Sequence, residues 1–146
     1  MENSNQQIEQ IKWQESYNTG IEEIDEQHKI LVNTINEANI KLHDDDSMAT
    51  LEAITKDLLS YVLYHFETEE EMMAQHDYKS HSKEDYDKHM KQHRDFSAKV
   101  VAVRESITKG KPIEKKELIE FLTNWLINHI NKTDQKLGAF LDGKII

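Results

Sequence analysis

The sequence has no cysteine. That absence excludes disulfides, thiolate nucleophiles, iron–sulfur clusters and thiolate zinc sites together. One proline and four glycines in 146 residues leave few places for tight turns, so long helices are expected rather than many short strands. Basic residues are the minority, 18 Lys and Arg against 28 Asp and Glu, and the resulting net charge of −10 argues against nucleic acid or an anionic membrane as a partner. No apolar run approaches the roughly 20 residues needed to span a bilayer. The polar, acidic start from Met1 to Gln10 lacks the basic-then-apolar pattern of a signal peptide. Together with a length usual for one domain, these absences predict a cytoplasmic, monomeric protein with a single core.

Helical periodicity is what the sequence has in quantity. A first stripe runs through Ile21, Ile24, His28, Leu31, Ile35, Ala38 and Leu42, and a second through Leu51, Ile54, Leu58, Tyr61, His65, Glu69 and Met72. A third reads Tyr86, His89, His93, Phe96, Val100, Val103 and Ile107, and a broader fourth reads Leu118, Leu122, Trp125, Leu126, His129 and Ile130 and continues to Leu137. Steps of three and four place each set on one face of an amphipathic helix. Asp44, Asp45, Asp46 and Ser47 offer capping oxygens before the second helix, His76 to Ser82 is polar and aperiodic, and Gly110 with Pro112 separates the last two helices. Short connections make neighbours antiparallel. The predicted fold is all-α: one domain over 1–146, an up-down-up-down four-helix bundle with helices over about 21–43, 47–75, 82–108 and 114–140, preceded by an N-terminal arm over 1–20 that Trp13 and Tyr17 pack onto the bundle.

The stripes are interrupted by residues that do not belong in an apolar core. His28, His65, Glu69, His89, His93 and His129 all stand where the pattern asks for an apolar side chain. Burying an unpaired charge costs several kcal/mol, comparable with the whole net stability of a small domain. A hydrogen-bonded core histidine is the ordinary account of one such residue. Six on four helices call for a common partner, and a metal ion is the simplest.

Topology points the same way. His28 is near the start of its helix, His65 and Glu69 toward the end of the second, His89 and His93 near the start of the third, and His129 toward the end of the fourth. In an antiparallel bundle those four ends coincide. His65 with Glu69, and His89 with His93, are i,i+4 pairs about 40° apart around a helix and able to reach one ion. Asp134 follows His129 by five, a poor same-face fit at about 100° per residue, yet it lies within the broad fourth face and supplies a second carboxylate. Five imidazoles and two carboxylates are too many for one ion and suit a pair bridged by both carboxylates. Three His on one ion and two on the other would leave an open position. Iron, zinc, copper and manganese all accept such ligands. The Glu-x-x-His pairs of ferritin-like carboxylate sites and the His-Glu-x-x-His of zincins are absent.

Four segments, GIEEIDEQHKIL (20–31), HFETEEEMM (65–73), HMKQHRDF (89–96) and WLINHINKTD (125–134), occur in the order found in the hemerythrins, and the chain resembles the single-domain bacteriohemerythrins from Trp13 to about Asp134. The resemblance implies one hemerythrin-like domain with two non-haem iron ions. His89, His93 and His129 would hold one ion, His28 and His65 the other, and Glu69 and Asp134 would bridge them beside an oxo or hydroxo group. It further implies molecular oxygen as the ligand at the two-His iron, in a dry pocket walled by Leu31, Phe66, Trp125, Leu126 and Ile130. The family often has consecutive Glu residues just after the second-helix His, where this chain has Glu67 and Thr68; Thr68 is expected to point away from the metals.

The function expected from the resemblance is reversible oxygen binding for storage, transport or delivery, to an oxygen-consuming partner protein for instance. The alternatives are an enzyme reducing oxygen, peroxide or nitric oxide at the same centre, and an oxygen or iron sensor acting through a partner. His43, His76 and His81 are expected at the surface, and Met72 and Met73 in packing.

Overall fold

The computed structural model describes residues 10–45, 47–111 and 114–142. Asp46, Pro112 and the polar start over 1–9 lie outside the described residues.

Each apolar stripe forms a helix. They are α1 (Glu22–Asp44), α2 (Met48–Gln75), α4 (Lys83–Thr108) and a last rod made of α5 (Lys115–Asn128), a π-helical turn (His129–Thr133) and α6 (Asp134–Leu141). Among the described residues there is no strand. α2 packs on α1 and α4, and α1 packs on α5, closing an up-down-up-down four-helix bundle.

The start signals act as the sequence suggests. Ser47 caps α2, its hydroxyl accepting from the Thr50 N–H, while Asp45 accepts from the Ser47 N–H and the Thr50 hydroxyl. Gly110, at φ +79°, ends α4 in a conformation that costs other residues strain. One stretch expected to be irregular contains a helical turn, α3 (Tyr78–His81), which follows Asp77 at φ 60°. Its anchor is Tyr78, a buried aromatic in an otherwise polar segment.

The arm is pinned at several points. Asn36 exchanges two hydrogen bonds with the Ile11 backbone, Asp25 accepts from the Thr19 N–H and hydroxyl, and Gln135 donates to carbonyls of Ser16, Tyr17 and Asn18. Tyr17 is buried in the main core, and half-buried Trp13 packs against it edge to face. Gly138 on α6 makes this seat possible: a Cβ there would stand 2.5 Å from the Thr19 carbonyl oxygen.

The apolar interior is in two parts. A large cluster fills the length of the bundle, from Leu31 and Phe66 down to Leu42 and Ile107. A small one, of Ile21, Ile24, Met72, Met73, Tyr78, Leu137 and Leu141, closes one end. Between them lies a polar layer.

Candidate metal centre

The layer consists of His28 from α1, His65 and Glu69 from α2, His89 and His93 from α4, His129 from the π-turn and Asp134 from the start of α6. All seven are buried, with exposures of 0–2%. Their ligand atoms form two groups that could each hold a metal ion. Glu69, His89, His93 and His129 make one, and His28, His65, Glu69 and Asp134 make the other.

The carboxylates face both ways. Glu69 Oε1 lies 3.0 Å from His93 Nε2 and 3.1 Å from His89 Nε2, whereas its Oε2 lies 3.3 Å from His65 Nε2 and 3.6 Å from His28 Nε2. Asp134 repeats the pattern: Oδ1 is 3.1 Å from His129 Nε2 and 3.3 Å from His89 Nε2, and Oδ2 is 2.8 Å from His28 Nε2. Glu69 thus gives one oxygen to each group, and Asp134, which joins the His28 group through Oδ2, turns Oδ1 toward His129 and His89 of the other.

Asp134 reaches the layer because the helix changes pitch beneath it. Its backbone N–H donates to the His129 carbonyl, an i→i+5 bond. In a regular α-helix a five-residue step turns away, and the π-turn corrects that rotation.

The residues fit a metal pair on a structural observation as well as on ligand type. His28 Nε2, His65 Nε2, Glu69 Oε2, His129 Nε2 and both Asp134 oxygens are buried without a hydrogen-bond partner among the described residues. Several are close to one another yet not aligned for a hydrogen bond. Polar atoms that converge on a shared point and leave their lone pairs unmatched are what metal ligands require, and they are otherwise costly in a core.

Three of the imidazoles are held from behind at Nδ1. His65 donates to Gln27 Oε1 at 2.7 Å, His93 to Glu70 Oε2 at 2.8 Å, and His129 to Gln92 Oε1 at 2.7 Å. Gln27 donates to the Thr68 hydroxyl, and Gln92 accepts from the Thr133 hydroxyl. These bonds turn Nε2 into the layer. Sequence reasoning missed all five supporting side chains, although Gln27 and Gln92 each stand immediately before a histidine of the layer. Thr68 does point away from the layer, but into this network rather than into solvent.

The electrostatics of the layer's own side chains reflect crowding of opposite charges. Burial disfavours the charged forms of His28 and His129, but Asp134 and Glu69 outweigh it, raising His28 to about 10 and His129 to about 9. Burial lowers His89 despite the same neighbours. Burial would raise Glu69, but the fields of the adjacent His65, His129 and His28 imidazoles hold it well below the usual carboxylate range. For Asp134, burial and the Glu69 charge are overcome by His129 and His28, which bring it down to about 2.

Against the large core, the layer borders a cavity of about 10 Å³, close to the room one water-sized sphere needs. Leu31, Phe66, Trp125 and Leu126 line it, together with His65 and His129. Ile130 does not. It is fully buried in the core, one residue round the helix from His129 and so turned off the cavity. The sequence reading omitted Ile35, Leu58, Val62, Phe96 and Leu122, which complete the wall. They sit on the same stripes, where any core residue reads alike. His43 and His81 are exposed, His76 is half-buried, and none joins the two groups. No described helix is long and apolar enough to cross a membrane.

The arrangement has known counterparts. A family profile described as the hemerythrin HHE cation binding domain matches residues 19–141. A myohemerythrin from Theromyzon tessulatum is 35% identical over 128 residues, which cover 88% of this chain and 91% of that protein. A bacteriohemerythrin from Pseudomonas aeruginosa (strain LESB58) is 34% identical over 124 residues, covering 85% of this chain and 76% of the other. A crystal structure of wild-type hemerythrin superposes with a TM-score of 0.81 over 91% of this chain and 98% of its own, at 22% identity, which shows the shared fold. A profile match over most of the chain, with relatives above 30% identity over 76–91% of their own length, shows that the chain belongs to the hemerythrin family.

Proposed function

We propose that this chain holds two non-haem iron ions, bridged by an oxo or hydroxo group, and binds molecular oxygen reversibly between them and the apolar cavity. His89, His93 and His129 would hold one ion and His28 with His65 the other. Glu69 and Asp134 would serve both. The observation that carries the reading is the division of each carboxylate, one oxygen toward each histidine group. A single ion would not use that arrangement.

When bound, an iron pair supplies one electron from each ion to dioxygen and recovers both on its release. The protein's own contribution is to make that exchange clean. Two imidazoles rather than three on the His28 side leave room for an added ligand. Leu31, Phe66, Trp125 and Leu126 exclude water from the approach, and the small cavity admits a diatomic molecule more readily than a solvated anion. Among the described residues no carboxylic acid lines the cavity, so protons that would drive irreversible oxidation are kept away. Storage or delivery of oxygen to a consuming protein is the role that follows.

An iron count on anaerobically reconstituted protein, followed by optical spectra as oxygen is admitted and swept out, tests this. Two irons per chain with absorption bands that appear in oxygen and vanish under argon are expected. Irreversible conversion to the ferric state, with turnover on an electron donor, would replace the carrier by an oxidase or reductase. One ion or none would overturn the pair.

A further inference from the structure

We infer that Thr68 is a positioning residue for the two-histidine half of the centre: through Gln27 it fixes which ring nitrogen of His65 carries the proton. The inference rests on the metal pair proposed above.

Neutral imidazole has one N–H and one lone pair, and a metal takes only the lone pair. His65 Nε2 faces the ligand layer, 3.3 Å from Glu69 Oε2, so the proton belongs on Nδ1. Nδ1 meets the Gln27 side-chain amide at 2.7 Å. That amide is ambivalent. Its oxygen accepts from Nδ1–H and favours the ligating form; its NH₂ group, turned the same way, would donate to Nδ1 and drive the proton onto Nε2.

Thr68 removes the ambivalence. Its hydroxyl donates to the Tyr64 carbonyl, four residues back on α2 at 3.2 Å, so toward Gln27 it presents lone pairs. Gln27 Nε2 donates to those lone pairs at 3.2 Å, which leaves Oε1 for His65. Hydrogen bonding therefore runs in one direction, from His65 through Gln27 and Thr68 to the backbone of α2. Gln27, Thr68 and His65 are all buried, at 5%, 8% and 1% exposure, so solvent does not compete. The three-histidine half is wired differently. His93 meets a carboxylate, Glu70, and Gln92 is held by a donating hydroxyl on the same oxygen that His129 uses. The direction of a ligand histidine depends on a hydroxyl acting as acceptor at His65, not at these two.

Thr68→Val keeps the shape and removes the acceptor. A buried NH₂ without a partner costs more than an under-used carbonyl, so the Gln27 amide flips and His65 receives the wrong proton. Metal-stripped protein is titrated with Zn²⁺, and the histidine resonances that respond assign each equivalent. Wild type is expected to take two. Thr68→Val should keep the equivalent bound by His89, His93 and His129 and weaken the one bound by His28 and His65 by roughly 10–100-fold. Thr68→Ser should restore it. Two-bond ¹H–¹⁵N spectra of metal-stripped wild type, in which no cation dictates the tautomer, should place the His65 proton on Nδ1, a readout that needs no variant to fold. Unchanged second-equivalent affinity in Thr68→Val, equal weakening of both equivalents, or a His65 proton on Nε2 in wild type would each overturn the role of Thr68. Fewer than two equivalents in wild type would overturn the metal pair itself, and that is read first.

Discussion

The Asp134 backbone N–H donates to the His129 carbonyl, and the π-turn that this i→i+5 bond closes brings two side chains five residues apart into one layer, His129 Nε2 lying 3.1 Å from Asp134 Oδ1. Regular α-helical pitch would turn Asp134 aside. The π-turn is therefore part of the site's construction. Deleting Asn131, which sits in the turn, should restore α-helical pitch and rotate Asp134 off the layer. Metal titration should then resemble that of Asp134→Ala, with both ions weakened by more than the roughly 10–100-fold typical of an outer-sphere change. Two full-affinity equivalents in the deletion variant would contradict this.

Removing one histidine of the smaller group should separate metal loading from oxygen binding. His28→Ala is expected to bind one metal equivalent, lose the oxygen response and keep its helical signal, because a polar group leaves the core. His43→Ala, at an exposed position outside the layer, should match wild type in all three. Intact oxygen binding in His28→Ala would sink the assignment.

The metal-free protein should lose stability as pH rises through the alkaline range. His28 and His129 have pKa values raised in the folded state to about 10 and about 9, above an unfolded value near 6.5. Their contribution is complete below about 6.5 and disappears as pH climbs past both folded values. Asp134 behaves oppositely. Its folded value, about 2, lies below the usual 3.8, so its contribution is lost as acid crosses that window. Thermal melts of chelator-stripped protein should fall between pH 6.5 and 10. With metal bound the alkaline slope should vanish, since cations take the place of the protons. A flat profile for the stripped protein would contradict the ion pairing described.

Gly138→Ala weighs two known effects against each other. Alanine gains about 1 kcal/mol in helix propensity. Its Cβ would meet the Thr19 carbonyl oxygen at 2.5 Å, and Thr19 is tied to Asp25 and cannot simply retreat. Overpacking of about 1–3 kcal/mol exceeds the gain, so the variant should melt lower than wild type. A variant that melts higher would show the arm to be loosely held.

The helices and six of the seven layer residues were legible because periodicity is a global property of each stripe, and a histidine in an apolar stripe is conspicuous. Asp134 was less so, because a uniform 100° step cannot represent a change of pitch. The supporting side chains were not legible at all. Gln27 and Gln92 lie one residue off their stripes, where polar residues are unremarked, and Thr68 looks like a neutral replacement until its buried hydroxyl is seen to hold Gln27. α3 escaped for the opposite reason. Its four residues are too few to show a period, and a single aromatic, Tyr78, anchors it.

The layer also separates a long apolar trunk from a crown of seven buried residues. So few side chains hold four helix ends weakly once buried charges behind them lose their ions, because the binding energy of a metal is folding energy for the groups it joins. Stripping the ions should let the crown breathe while the trunk stays shut: amide exchange should quicken in α3, the first turn of α1 and α6, and stay slow in the middle of α2. Ions held in the layer would thus be a clasp as well as a binding centre, and their presence would be felt at the end of the bundle by a protease or a proton that never reaches them.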